Sequence, residues 1–209
     1  MKRSLLFSAI ALILSFGTMA YAQNQVPEFS AVYVEKDGDT VERGKIYISN
    51  NMTRYDRKNG EEILVIRYDK KVMWTIYPKL KRYVEDDYPM AAPIAPPEKP
   101  KEGQFGDLTR KFVEYEEIDT YRMKKYLVTI LLKGNAENQY SYYEWYRDNF
   151  PLPVKTAAVL GNSSYEFTKI KIGKPPIEVF MEPKSYKKVT NDEIEALEIA
   201  NKTKNKSNS

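Results

Sequence analysis

Turn signals recur at short intervals along this chain, and they constrain its fold more than any other feature. Asp37-Gly38, Asn50-Asn51, Asn59-Gly60, Asp69-Lys70 and Pro78-Lys79 punctuate the first half. The stretches between them, 29–35, 41–49, 52–58, 61–68, 71–77 and 82–85, are rich in tyrosine and β-branched residues. Such short runs favour pleated backbone, and Asp-Gly or Asn-Gly supplies the left-handed residues of a tight hairpin. The spacing predicts an antiparallel meander in which neighbours in sequence pair in space.

The pattern stops at residues 88–101, YPMAAPIAPPEKPK, where five prolines remove the donors a sheet needs. Apolar residues such as Met90 and Ile94 lie between these prolines, so the segment reads as a lid or a linker. Strand-like runs resume at 109–118, 121–133, 139–147, 153–160 and 163–172, with turns at 133–135 and at Gly161-Asn162. A short helix is predicted from an Asn191 cap through Ala200, with Asp192 and Glu193 in its first turn, and a disordered tail over 201–209. The fold class is therefore mainly β, with about eleven strands and few helices.

Several strands break the alternation of an ordinary half-buried sheet. Ile63 and Val65 are interleaved with Leu64 and Ile66; Val72, Trp74 and Ile76 with Met73 and Tyr77; Leu127 and Leu131 with Val128, Ile130 and Leu132. Both faces must then be covered, yet almost no helix is predicted to cover them. Three covers fit: the sheet curls on itself, the proline segment lies across it, or a hydrophobic ligand or partner occupies one face.

The chain opens with Lys2 and Arg3, an apolar run over 5–16 and the triplet Ala20-Tyr21-Ala22. These three parts predict a signal peptide over residues 1–22, cleaved to give an N-terminus at Gln23. The apolar run is too short to span a bilayer, which takes roughly 20 residues, and no cysteine stands at the cleavage site to be lipidated. Residues 23–200 are expected to form one domain, working in the periplasm. Loss of Lys2 and Arg3 lowers the net charge of +4 by two, and so balanced a chain argues against nucleic acid as a partner.

The chain has no cysteine and no histidine. That removes Cys/His zinc sites, thiol nucleophiles, Ser-His-Asp triads and histidine pH switches. An Asp/Glu mechanism is the residual catalytic possibility. Glu85, Asp86 and Asp87 form an acidic run best read as a solvated loop. Glu114 and Glu116 share one strand face and Glu117 the other, which suits a solvated surface better than a hydrolase pair. The run of Tyr140, Tyr142, Tyr143, Trp145 and Tyr146 can stack sugars, but cross-strand packing is the commoner use. The expectation is a protein that is no enzyme and needs no cofactor or metal.

The order of motifs resembles a known family. GKIYISNNMTRYDRKNGEEILVIRYDKKVMWTIYPKLKRYVE (44–85), MKKYLVTI (123–130), EWYRDNFPLPVKT (144–156) and EFTKIKIGKPPIEVFMEPKSYKK (166–188) look like the LolA/LolB-like superfamily of periplasmic lipoprotein carriers. They are most similar to an outer-membrane-lipoprotein-sorting-like branch. The resemblance implies a strongly curved antiparallel sheet, an incomplete, half-open β-barrel with a concave apolar face. Carriers of the superfamily bind lipoprotein acyl chains, and related domains sense envelope stress. Here the proline segment stands where carriers have a helical lid.

The expected function is a periplasmic carrier for a lipid, lipoprotein acyl chain or other hydrophobic ligand, in peripheral contact with the membrane. The other expectation is a sensor module that docks an envelope protein. Val72, Trp74, Ile76, Val128, Ile130 and Trp145 are the candidate ligand-binding residues, with Met90 and Ile94 in the lid.

Overall fold

The computed structural model describes residues 27–88, 108–131 and 139–207. The expected signal peptide and the lid residues Met90 and Ile94 lie outside them. The strands are β1 Phe29–Asp37, β2 Thr40–Ser49, β3 Met52–Arg57, β4 Glu62–Arg67, β5 Val72–Tyr77, β6 Arg82–Asp87, β7 Leu108–Ile118, β8 Tyr121–Leu131, β9 Gln139–Tyr146, β10 Lys155–Ala158, β11 Ser164–Ile172 and β12 Lys187–Lys188; α1 spans Asn191–Ser207. The hydrogen-bonded order is β12-β6-β5-β4-β3-β2-β1-β11-β10-β9-β8-β7. β12 and β7 are its two edges, so the sheet is open rather than a closed barrel. The twelfth strand, missed in the sequence, is the two-residue β12, which pairs parallel to β6.

The chain divides into two compact units. One holds residues 28–32, 42–88 and 170–207 of the described chain, and the other holds 27, 33–41, 108–131 and 139–169. The first, the meander unit, contains β3–β6, β12 and α1. The second, the hairpin unit, contains β7–β10.

In the meander unit the loops are longer than the turn dipeptides suggest. Arg57 pairs with Glu62, Arg67 with Val72 and Tyr77 with Arg82, so residues 58–61, 68–71 and 78–81 form the connections. The left-handed positions fall on Lys58, Asn59 and Gly60, then on Lys71 and Lys81. Longer loops built around a one-turn bend need one left-handed residue to rejoin the ladder, and here lysine takes that position more often than glycine.

The C-terminal end of the chain covers one face of β4–β6 and packs against β6 on the other, a solution the sequence did not suggest. A 3-10 turn over Ile177–Phe180 packs the fully buried Phe180 against Val65, Trp74, Ile76 and Tyr83. On the other face Val189 and Ile194 pack against Val84. Burying each of these large side chains contributes about 1.5–3 kcal/mol.

α1 starts one residue earlier than expected. Thr190, not Asn191, caps it: the Glu193 N–H donates to Thr190 Oγ1 (3.3 Å) and the Thr190 N–H to the Glu193 carboxylate (2.8 Å). This reciprocal capping box is joined by a hydrophobic staple, Val189 before the cap against Ile194 after it. The helix also runs past Ala200 to Ser207, through residues expected to form a disordered tail. Once a helix is nucleated, each further residue adds a hydrogen bond at little cost.

Candidate functional site

In an antiparallel ladder, residues directly opposite each other share a face. In the hairpin unit this rule gives two faces. Thr156, Glu144, Tyr126 and Phe112 form one cross-strand row; Tyr142, Val128 and Arg110 the next; Tyr140, Ile130 and Leu108 the third. The opposite face carries Tyr143 with Leu127, and Trp145 with Lys125. Trp145 therefore does not join Val128 and Ile130: it stands three positions beyond Tyr142 along β9, an odd step that puts it on the other face. Expecting all three in one concavity is a correction that only the register could supply.

The Glu144 face has a polar centre. Glu144 is only 1% exposed, yet its carboxylate accepts from Arg110 Nε (3.0 Å), Tyr146 Oη (2.9 Å) and Tyr142 Oη (3.3 Å). A buried carboxylate persists only when paired and hydrogen-bonded, and these three donors meet that need. Burial, and then the Glu144 charge, push the Tyr142 hydroxyl well above the ordinary tyrosine range, so it stays a donor.

Beside this centre lies a groove of about 550 Å³ lined by Arg110, Lys124, Tyr126, Tyr146, Phe150 and Pro151, among others. Its aromatic wall continues outward. Tyr126 meets Tyr146 and Phe112 edge-on with ring centroids 5.7 and 5.8 Å apart, and Phe112 meets Tyr115 at 5.3 Å. Phe112 and Tyr115 are exposed by 45% and 49%. The groove thus combines fixed cations with rings that lead onto an exposed apolar strip. Lys124 also reaches Asp148 at 3.3 Å, an exposed pair that contributes little.

The opposite face of the hairpin unit is a network of charge. Lys125 Nζ lies 3.0 Å from Glu114 and 3.1 Å from Glu116, and Trp145 Nε1 donates to Glu116 at 3.0 Å. Glu114 and Glu116 share this face and Glu117, opposite Arg122, lies on the other, as the strand period requires. The two glutamates that resembled a hydrolase pair are held by one lysine. The Trp145 hydrogen bond, then Lys125, keeps Glu116 below the ordinary carboxylate range.

The meander unit places the other candidates. Trp74 and Ile76 are 2% and 4% exposed under Phe180, and the half-buried Val72 packs against the same cluster. Arg54 and Arg67 donate to the carbonyls of Val179 and Phe180 at 2.9 and 3.2 Å, which ties the covering turn down. Trp74 Nε1 donates to Glu85 at 2.8 Å, and Lys188 bonds the same carboxylate at 2.6 Å. Glu85 pairs with Trp74 and Asp87 with Val72, while Asp86 pairs with Met73 on the other face, so the acidic run does not converge. Among the described residues no group of carboxylates is placed to hold a metal ion.

Sequence reasoning missed Glu144, Arg110, Phe150 and Phe180. Glu144 had one signal, a lone acid inside the aromatic run 140–146, which marks either an exposed tip or a satisfied buried charge.

The sequence matches no protein-family model and no curated protein. Solved structures do match. An uncharacterized conserved protein of Thermus thermophilus is 11% identical, covers 88% of this chain and 99% of its own, and has a TM-score of 0.53. A chain of the MucA/MucB complex of Pseudomonas aeruginosa is 12% identical, covers 84% of this chain and 62% of its own, and has a TM-score of 0.54. This chain thus spans less than two thirds of that one. The LolA superfamily protein NE2245 of Nitrosomonas europaea is 11% identical and covers 82% of this chain and 98% of its own, at a TM-score of 0.33. The likeness to the first two is one of fold alone.

Proposed function

We propose that this protein is a non-catalytic binding or carrier protein of the bacterial cell envelope, and that it holds an amphipathic, lipid-type ligand on the Glu144 face of the hairpin unit. One observation carries the reading: the groove of about 550 Å³ sets Arg110 and Lys124 beside the rings of Tyr126, Tyr146 and Phe150. Ligand sites of this size are mostly apolar with a few placed polar groups. The rings and the strip of Phe112 and Tyr115 take the apolar chain, and the cations take its polar end. Val128 and Ile130 lie on the same face, buried against Tyr142 beside the groove. We assign Trp74 and Trp145 to their glutamate-bonded positions instead.

Export through a signal peptide ending at Ala22 is part of the same proposal. Native mass spectrometry of the protein purified from the envelope fraction tests both. The expected result is a chain beginning at Gln23 that carries lipid mass, with Tyr126→Ser losing it and Trp74→Ala keeping it. A lipid-free chain that also fails to bind a fluorescent fatty acid would overturn the carrier reading. A second reading, docking of an envelope protein, draws support from the fold match to a chain that is itself part of a two-protein complex. In the same spectra it predicts a co-purified polypeptide in place of lipid.

A further inference from the structure

The edge strand β7 pairs with β8 on one side, and among the described residues no strand pairs with its other side. At eleven residues it is long for an edge, where chains usually place short or blocked strands. Phe112, Val113 and Tyr115 are 45%, 43% and 49% exposed. Its sequence, LTRKFVEYEEI, has a polarity: Arg110 and Lys111 come first, then Glu114, Glu116 and Glu117. Neither Lys111 nor Glu117 has an ion pair within the chain among the described residues.

A strand with cations at one end and anions at the other is complementary to itself when turned around. The bulge in β7 decides the alignment. Its register against β8 shifts between Phe112 and Glu114. Arg110 and Phe112 before the shift therefore share a face with Tyr115 and Glu117 after it, while Lys111 shares the opposite face with Glu114 and Glu116. Opposed residues must share a face. A two-fold axis between Val113 and Glu114 meets that condition. It sets Arg110 against Glu117, Lys111 against Glu116 and Phe112 against Tyr115, each twice. A shift by one residue would oppose side chains on different faces. Parallel pairing would set like charges against each other.

We propose that β7 is a self-association edge: a second copy of this chain adds its own β7 antiparallel, in this register. Backbone hydrogen bonds supply the attraction, as in other strand additions, and the charge pattern selects a second copy in one alignment. The carrier reading uses some of the same side chains, Arg110, Phe112 and Tyr115, but it is read by bound lipid mass and the dimer by sedimentation, so either can fail alone.

The test is sedimentation of the intact protein over a range of concentrations and salt. The wild type should dimerise at low salt and dissociate as salt rises. Lys111→Glu and Glu117→Lys, both exposed, should each weaken the dimer about tenfold, since each turns two facing pairs repulsive. Circular dichroism should show both variants folded. The chain has no native cysteine, so Val113→Cys, beside the axis, should form a disulfide-linked dimer on oxidation, whereas Thr109→Cys, far from it, should not. A wild type that stays monomeric at every concentration, a dimer indifferent to both charge reversals, or cross-linking of Thr109→Cys as readily as Val113→Cys would each overturn the proposal.

Discussion

Each tryptophan in this chain is held in the same way. The indole N–H of Trp74 donates to Glu85, which Lys188 also bonds, and that of Trp145 donates to Glu116, which Lys125 also bonds. A buried indole needs an acceptor, and a carboxylate that also meets a lysine is a strong one. The lysine on Glu85 and the indole on Glu116, each aided by the other partner, hold both carboxylates below the ordinary value of 4.5. A lowered folded value means that each group contributes stability above pH 4.5, and that this is lost as pH falls through the folded value. Tryptophan emission and the urea midpoint should therefore both change as acid is added below that pH. The double variant Glu85→Gln, Glu116→Gln should flatten the dependence. The pair of half-buried Arg110 and buried Glu144 gives a sharper contrast. Arg110→Met should destabilise by about 3–5 kcal/mol, because it leaves a buried carboxylate without its charge partner, whereas Arg110→Met with Glu144→Leu should recover most of the loss. Chemical denaturation of the three proteins checks this.

The local elements obey rules that are readable in the sequence once the right rule is applied. The cap of α1 is an example: Thr190 to Glu193 is a T-x-x-E capping box with a staple around it, and Asn191 drew the assignment only because it is also a good capping residue. Thr190→Ala should lower stability by about 1 kcal/mol and fray the helix, seen as lost ellipticity on heating. The meander loops show the reverse case. Their turn dipeptides were legible, but the residues at φ of 57° and 49° are Lys71 and Lys81. Lysine accepts that backbone at a cost of about 1 kcal/mol. Nothing in a lysine's identity reveals it, because the ladder registers on both sides impose it. Lys81→Gly should raise thermal stability by about 0.5–1 kcal/mol.

At the scale of the molecule, the covering of the strands is a long-range decision. Phe180 and the turn around it lie more than a hundred residues from β4, and Arg67 reaches the Phe180 carbonyl across that separation. Phe180→Ala should cost about 3–5 kcal/mol and open Trp74 to collisional quenching by acrylamide, leaving Trp145 unchanged. Comparing the quenching of Trp74→Phe and Trp145→Phe backgrounds separates the two indoles. If Trp74 stays protected, its cluster does not depend on the covering turn.

Much of the strand order was fixed by local chemistry. β-branched and aromatic runs between turn residues can pair with their neighbours at the lowest loop-closure cost, so the meander of β2–β6 and the β7–β8–β9 hairpins follow from spacing alone. The interleaved apolar residues also predicted cover on both sides; β4 has it, with Leu64, Val65 and Ile66 all buried, whereas Leu131 of β8 stays 38% exposed. What covers them was a tertiary matter. Phe180, Val189 and Ile194 are unremarkable in sequence, and only the return of the chain sets them against Trp74 and Val84. Parity was likewise decided in three dimensions. A one-residue difference in position sends a side chain to the other face, so Trp145 parts from Val128 and Ile130, while one bulge in β7 brings Arg110 and Glu117 onto the same side. Composition cannot carry that information, because a face is a property of hydrogen-bond register between strands and not of any one strand's residues.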